Sequence, residues 1–250
     1  MRPLLQGAAA LALALAAVAP APAFAGFVFV DESGDQTLLT TRHIKISPTS
    51  PDAPAFMLDM TRARLWVADP GRRTFWEGTI DEYCTNVKGL EEQGLPPAER
   101  ERLQALMKGG PAGRVRVTVE RTAHTETIAG WPTRKYRVLA DGRLHEELWL
   151  TSDVTVAREL EGARVSDTFG RMMGCMLGAQ PGAGVENTAE YRQLYAHGWP
   201  LKSVYYGGGG ASGTSTVIKA ERREIAERDF ATPPGYRRVT FADVFDGGGR

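Results

Sequence analysis

The sequence has two cysteines, four histidines and no excess of either charge, and each shortage removes a class of protein. Two cysteines in 250 residues cannot build a fold out of disulfides, so a hydrophobic core must carry the stability. Thirty Lys and Arg against thirty Asp and Glu leave no basic surplus, which argues against nucleic-acid binding by phosphate neutralisation. His43, His124, His145 and His197 stand far apart, and none belongs to H-E-x-x-H or to a Cys/His cluster at zinc spacing. The nearest metal fragment is "LHEEL", where His145 and Glu147 would share a strand face, and two ligands do not make a site. No G-x-S-x-G elbow is present, and the "GASG" around Ser212 reads as a hairpin loop. No P-loop or G-x-G-x-x-G opens a helix. The expectation is therefore a protein with no cofactor, no metal and no catalytic residue. Beyond the first 25 residues no apolar run approaches the roughly 20 residues of a membrane span.

What is present begins with an export signal. Arg2 supplies a basic start, Ala8 to Val18 an apolar run too short to cross a bilayer, and Ala23-Phe24-Ala25 a small-x-small cleavage site before Gly26. No cysteine stands at that site to take a lipid anchor. The expected protein is exported and periplasmic, with residues 1–25 removed, a single domain over 26–245 and a flexible tail at 246–250.

The rest of the chain alternates between strand and helix patterns. "FVFV" and "QTLLTTRHIKIS" read as two strands joined at Gly34. Pro70-Gly71 predicts a type II turn that sets Trp66 opposite Phe75 and Leu65 opposite Trp76. Asp141-Gly142 predicts a type I′ hairpin with Tyr136 opposite Glu147, Arg134 opposite Trp149 and Lys135 opposite Leu148. Both hairpins put large apolar groups on both faces, where an ordinary half-buried sheet alternates cleanly.

The period then changes twice. Ile80, Tyr83, Cys84, Val87 and Leu90 fall at helical spacing and open a helical segment of about 79–108, whose second helix starts at Pro97 and stops at Gly109 or Gly110. A second segment, 152–197, holds "DTFGRMMGCMLG", where Phe169, Met172, Met173, Met176 and Leu177 make one apolar stripe. Gly170, Gly174 and Gly178 recur along another face. Asn187 and Glu190 fit a capping box for a last helix that Gly198 ends. "PLKSVYY" and "STVIKAERREI" close the pattern as strands joined by a flexible "GGGGASG". The economical fold is α+β: one antiparallel sheet with its helices gathered on one side.

Three stretches, "FMLDMTRARLWVADPGRRTFWEG", "AGWPTRKYRVLADGRLHEELWLT" and "AERDFATPPGYRR", carry a family resemblance over roughly Phe27 to Val239. In this order they resemble an uncharacterised family of exported bacterial proteins similar to the lipoprotein-carrier (LolA/LolB-like) fold. The resemblance implies a strongly curved sheet, an incomplete barrel, with helices on its concave side and an apolar cavity between them. It implies a periplasmic, non-catalytic binder whose partner is an apolar ligand or acyl chain, or a lipoprotein or other envelope protein. The helical insert from Ser152 to His197 and the glycine-rich loop depart from the carriers, so no ligand residue transfers one by one.

The candidate ligand site read from the residues themselves is Trp66, Phe75, Tyr136 and Trp149 from the hairpins, faced by Met172, Met173 and Met176. Methionine repacks readily around varied apolar ligands, although each of these side chains also reads as core. Cys84 and Cys175, both in helical segments of an oxidising compartment, are the candidate disulfide. The alternatives are a structural or stress-sensing envelope interaction protein without ligand and, behind it, a secreted hydrolase.

Overall fold

The computed structural model describes residues 23–94, 115–154, 168, 185, 188–207 and 210–245. Twelve strands are described. Six come first: β1 (Ala23–Asp31), β2 (Gln36–Thr40), β3 (His43–Ser47), β4 (Ala55–Asp59), β5 (Arg64–Asp69) and β6 (Thr74–Thr79). Helix α1 (Ile80–Gly94) follows, then β7 (Val117–Ile128), β8 (Trp131–Ala140) and β9 (Arg143–Thr151). Helix α2 (Ala189–His197), β10 (Trp199–Gly207) and β11 (Gly210–Ala226) come next. A 3-10 turn (Glu227–Phe230), β12 (Arg237–Arg238) and a short α3 (Phe241–Phe245) close the chain.

All twelve strands join one open sheet in the order β12-β6-β5-β4-β3-β2-β1-β11-β10-β9-β8-β7. Neighbours run antiparallel except for β12, which lies parallel to β6. The fold is mostly β, as the hairpin series predicts. Ala23 to Ala25 pair with Ala226, Ile225 and Glu224 of β11, so cleavage before Gly26 would take three residues from β1.

Several local expectations are corrected by turn chemistry. "QTLLTTRHIKIS" holds two strands rather than one, because the Thr40 hydroxyl accepts from the Arg42 and His43 amides and turns the chain. The Pro70-Gly71 turn is a four-residue loop: Asp69 pairs with Thr74, and Arg73 takes a positive φ of 52°. The Asp69 carboxylate accepts from the Arg72 amide inside that loop. The pairs become Val67 with Trp76 and Trp66 with Glu77.

At Asp141-Gly142 both φ values are positive, 49° and 78°, as a type I′ turn requires. Ala140 and Leu139 pair with Arg143 and Leu144 as predicted. His145 is then an extra residue on β9, and the register slips by one, so Arg137 meets Glu147, Tyr136 meets Leu148 and Lys135 meets Trp149. A one-residue bulge of this kind exchanges the partner of every side chain beyond it.

The helices start where their caps dictate. Thr79 and Glu82 form a reciprocal capping box on α1, with bonds of 3.2 and 2.7 Å. On α2 the cap is Thr188, one residue past the predicted Asn187; its hydroxyl accepts from the Tyr191 amide. Gly198 then stops the helix, and a Cβ there would stand 2.2 Å from the Thr151 carbonyl oxygen. The strands β10 and β11 continue into the glycine-rich segment, pairing Tyr206 with Ala211 and Gly207 with Gly210. The second helix of the first helical segment and the Met stripe lie outside the described residues.

The two-sided hairpins now have an explanation. Along β1, β2 and β5 neighbouring residues alternate between clusters: Phe27, Phe29, Leu39, Leu65 and Val67 belong to the largest, packed by Ile80 and Tyr83 of α1 and Phe241 and Val244 of α3. Val28, Leu38 and Trp66 face the other way. That second face is covered by the chain's own closing segment, with Phe230 against Val28 and Leu38, and Tyr236 against Trp66 and Phe75. On β8 and β9 a further cluster of Tyr136, Val138, Leu148 and Leu150 packs under Tyr191 and Leu194 of α2.

Candidate ligand cavity and its polar neighbour

Cross-strand registers set one row of side chains perpendicular to six strands. Ala220 pairs with Phe29, Phe29 with Thr37, Thr37 with Ile46, Ile46 with Phe56 and Phe56 with Val67. Directly paired residues point to the same face, so five successive strands offer Phe29, Thr37, Ile46, Phe56 and Val67 to one space. These five line a cavity of about 560 Å³. Its other walls come from β10, with Trp199, Pro200, Leu201, Lys202, Ser203 and Tyr205, and from Val217 of β11, Tyr83 of α1 and Phe245 of α3. Trp199 stacks on Phe29, ring centres 5.9 Å apart and planes within 9°. Burial pushes the Tyr83 phenol up to about 12, so it stays neutral at any physiological pH. The lining is mostly aromatic and aliphatic, with a few hydroxyls and the charged Asp31, Asp35 and Lys202, and its volume falls within the range of small-molecule sites.

A polar groove of about 720 Å³ lies beside it, on β7, β8 and the end of α2. Between Arg121 and Thr125 strand β7 bulges, since Arg121 pairs with Tyr136 and Thr125 with Arg134. The Thr122 hydroxyl donates to the Lys135 carbonyl at 2.9 Å and holds the bulge in place. Arg121, Arg134, Thr125, Thr127 and Ser152 line the groove, and His197 stacks on Tyr136 at 5.5 Å.

The predicted site residues divide among different surroundings. Trp66 and Phe75 come together, but in the cluster under Tyr236, on the face turned away from Val67. The Trp66 indole donates to the Phe230 carbonyl at 3.0 Å. Tyr136 is buried in the wall of the polar groove. Trp149 is buried beneath two ammonium groups, Lys135 and Lys202, 4.9 and 4.5 Å from its ring centre. Cys84 is partly buried against the large cluster and is disulfide-bonded. Met172, Met173, Met176 and Cys175 lie outside the described residues. Sequence reasoning did not single out Phe29, Ile46, Phe56, Leu201 or Val217. The alternation in "FVFV" and "AFML" carried the signal, but which strand lies beside which did not follow from it.

The Tyr191 hydroxyl donates to the buried Glu146 carboxylate at 2.8 Å under α2, and burial together with Tyr195 and Glu146 pushes the phenol well above its ordinary value. Among the described residues no three His, Cys, Asp or Glu side chains gather to hold a metal ion. No helix among them is long and apolar enough to cross a membrane.

The fold and site thus define an open, mostly antiparallel sheet protein with an apolar cavity on one face and a polar groove beside it. Residues 111–236, half of the chain, match the family described as "Domain of unknown function (DUF4412)", and the chain belongs to that family. No curated protein sequence matches it. Among solved structures it is similar to PNGF-II, at 7% identity over 90% of this chain and 32% of that one, with a TM-score of 0.37. It is also similar to MucB, at 14% identity over 87% of this chain and 59% of that one, with a TM-score of 0.31. The chain therefore spans about a third of PNGF-II and under two thirds of MucB.

Proposed function

We propose that the protein is a non-catalytic, exported binder of an elongated apolar ligand, an acyl chain of a lipid or lipoprotein, held between a curved sheet face and the helices in the periplasm. One observation carries this: the row Phe29, Thr37, Ile46, Phe56 and Val67 lines a cavity of about 560 Å³ that adjoins the large core cluster, to which Phe29 and Val67 also belong. The signal-like N-terminus and the LolA/LolB-like sequence stretches support the same reading. Trp66, Phe75 and Trp149 serve the core under this proposal, and the ligand contacts pass to the row and to β10.

Ile46 makes the test practical, because it lines the cavity yet is 36% exposed, so a charge there should be tolerated by the fold. Ile218, at 60% exposed, is the control. A long-chain fluorescent fatty acid should bind wild type and Ile218→Lys alike and lose at least about tenfold in affinity with Ile46→Lys, since a cation must then be desolvated against the chain. Circular dichroism checks the fold, and mass spectrometry of an organic extract of periplasmic protein looks for native lipid. Equal binding by all three proteins, or none by wild type, overturns the proposal and leaves a structural envelope protein.

A further inference from the structure

We infer that the polar groove on β7 and β8 takes the anionic head group, a phosphate or carboxylate, of the amphiphile whose chain fills the apolar cavity. The chain half of this statement rests on the proposed function; the head-group half stands on the groove itself. Arg121 and Arg134 both line the groove, and among the described residues neither has a carboxylate within ion-pair distance. Arg134 commits one N–H to the Thr122 carbonyl at 3.3 Å, which fixes its direction without neutralising it.

The acid that lines this groove is already matched. Glu126 is paired with Lys202 at 3.6 Å and lies 3.7 Å from His124. Among the described residues the two guanidinium charges are therefore left for a ligand, and a guanidinium suits a phosphate or carboxylate in a bidentate fork. Hydroxyls of Thr125, Thr127 and Ser152 add donors around the same space. The β7 bulge sits on the outermost strand, so the groove opens to solvent where an entering head group needs it to.

The groove and the cavity are neighbours across one strand pair. Leu150 lines the groove and its partner Pro200 lines the cavity. Directly paired residues stand about 5 Å apart, well within the reach of one lipid.

Three probes separate the parts: lysophosphatidic acid, monoacylglycerol with the same chain, and glycerol 3-phosphate. Wild type should prefer lysophosphatidic acid over monoacylglycerol by roughly ten- to a hundredfold, the scale of one or two charge-assisted hydrogen bonds. The double variant R121Q/R134Q should bring that ratio near one and leave monoacylglycerol affinity unchanged. R121Q alone, at an exposed position, should lower the ratio partway and covers the case of a double variant that fails to fold. A wild-type ratio near one, or a ratio that survives the substitutions in folded protein, overturns the inference. If neither lipid binds but glycerol 3-phosphate does so through the two arginines, the groove stands as a site for free phosphate compounds and the chain reading falls. If none of the three binds, both fall.

Discussion

Trp66 hides its indole almost completely and still satisfies its one polar atom, through a carbonyl 164 positions away in the chain. The contact ties β5 to the 3-10 turn at Phe230 and so seats the closing segment on the sheet. Trp66→Phe keeps a ring in place but removes the donor, which strands the Phe230 carbonyl against an apolar surface. A loss of about 1–3 kcal/mol is expected, read as a lower urea midpoint with an unchanged slope. Unchanged stability would mean that the carbonyl finds water and that the packing of Phe230 and Tyr236, with the Lys45 bond to the Asp229 carbonyl, holds the closing segment without it. The sequence carried the clue that Trp66 is buried, through its place between Leu65 and Val67. It carried no sign of the acceptor, because a carbonyl has no residue identity.

Hairpins show how far local chemistry reaches. Asp141-Gly142 dictated a turn and its first two pairs, and the bulge at His145 then redirected the rest. Nothing in "RLHEELWLT" distinguishes a bulged strand from a regular one, since the choice is made by burial of Glu146 beneath α2 and of Trp149 beneath two lysines. The slipped register gives Glu147 its setting. Burial alone would raise its carboxyl, but hydrogen bonds from Lys135 and Tyr206, with the charges of Lys135 and Arg137, hold it below the ordinary 4.5. A carboxyl depressed in the folded state stabilises fully above 4.5 and loses that contribution as pH falls through its folded value. Denaturant midpoints measured from pH 6 downward should therefore drop more steeply for wild type than for Glu147→Gln. Parallel curves would show that Glu147 contributes nothing to the acid sensitivity.

Across the whole molecule, sequence pattern gave the strand-rich class and the two-sided sheet, while the cavity depended on pairings between distant segments. Phe29 and Ile46 share a face only because Thr37 lies between them, and Leu201 joins the site only through β10. The disulfide belongs to this scale as well. Cys84 is bonded, and the sequence offers Cys175 as its partner, so non-reducing peptide mapping should recover one linked pair. Reduction should then cost roughly 4–5 kcal/mol on the chain-entropy view of a loop this long. Recovery of either cysteine as a free thiol in protein purified without reductant would contradict the pairing.

The place of β1 in the sheet has a consequence for the order of events in making the protein. One edge of β1 is covered early by β2, but the other waits for β11, so Phe29 stays unmatched on that side until Ala220 has been synthesised. Pairings so remote in sequence form slowly, because a long loop must close before they repay it. A chain released from its N-terminus forward thus cannot lock its central strands while its last third is missing. Under the proposed export that delay is useful: a polypeptide threaded through a narrow translocation pore remains pliable during passage and acquires its final shape on the far side.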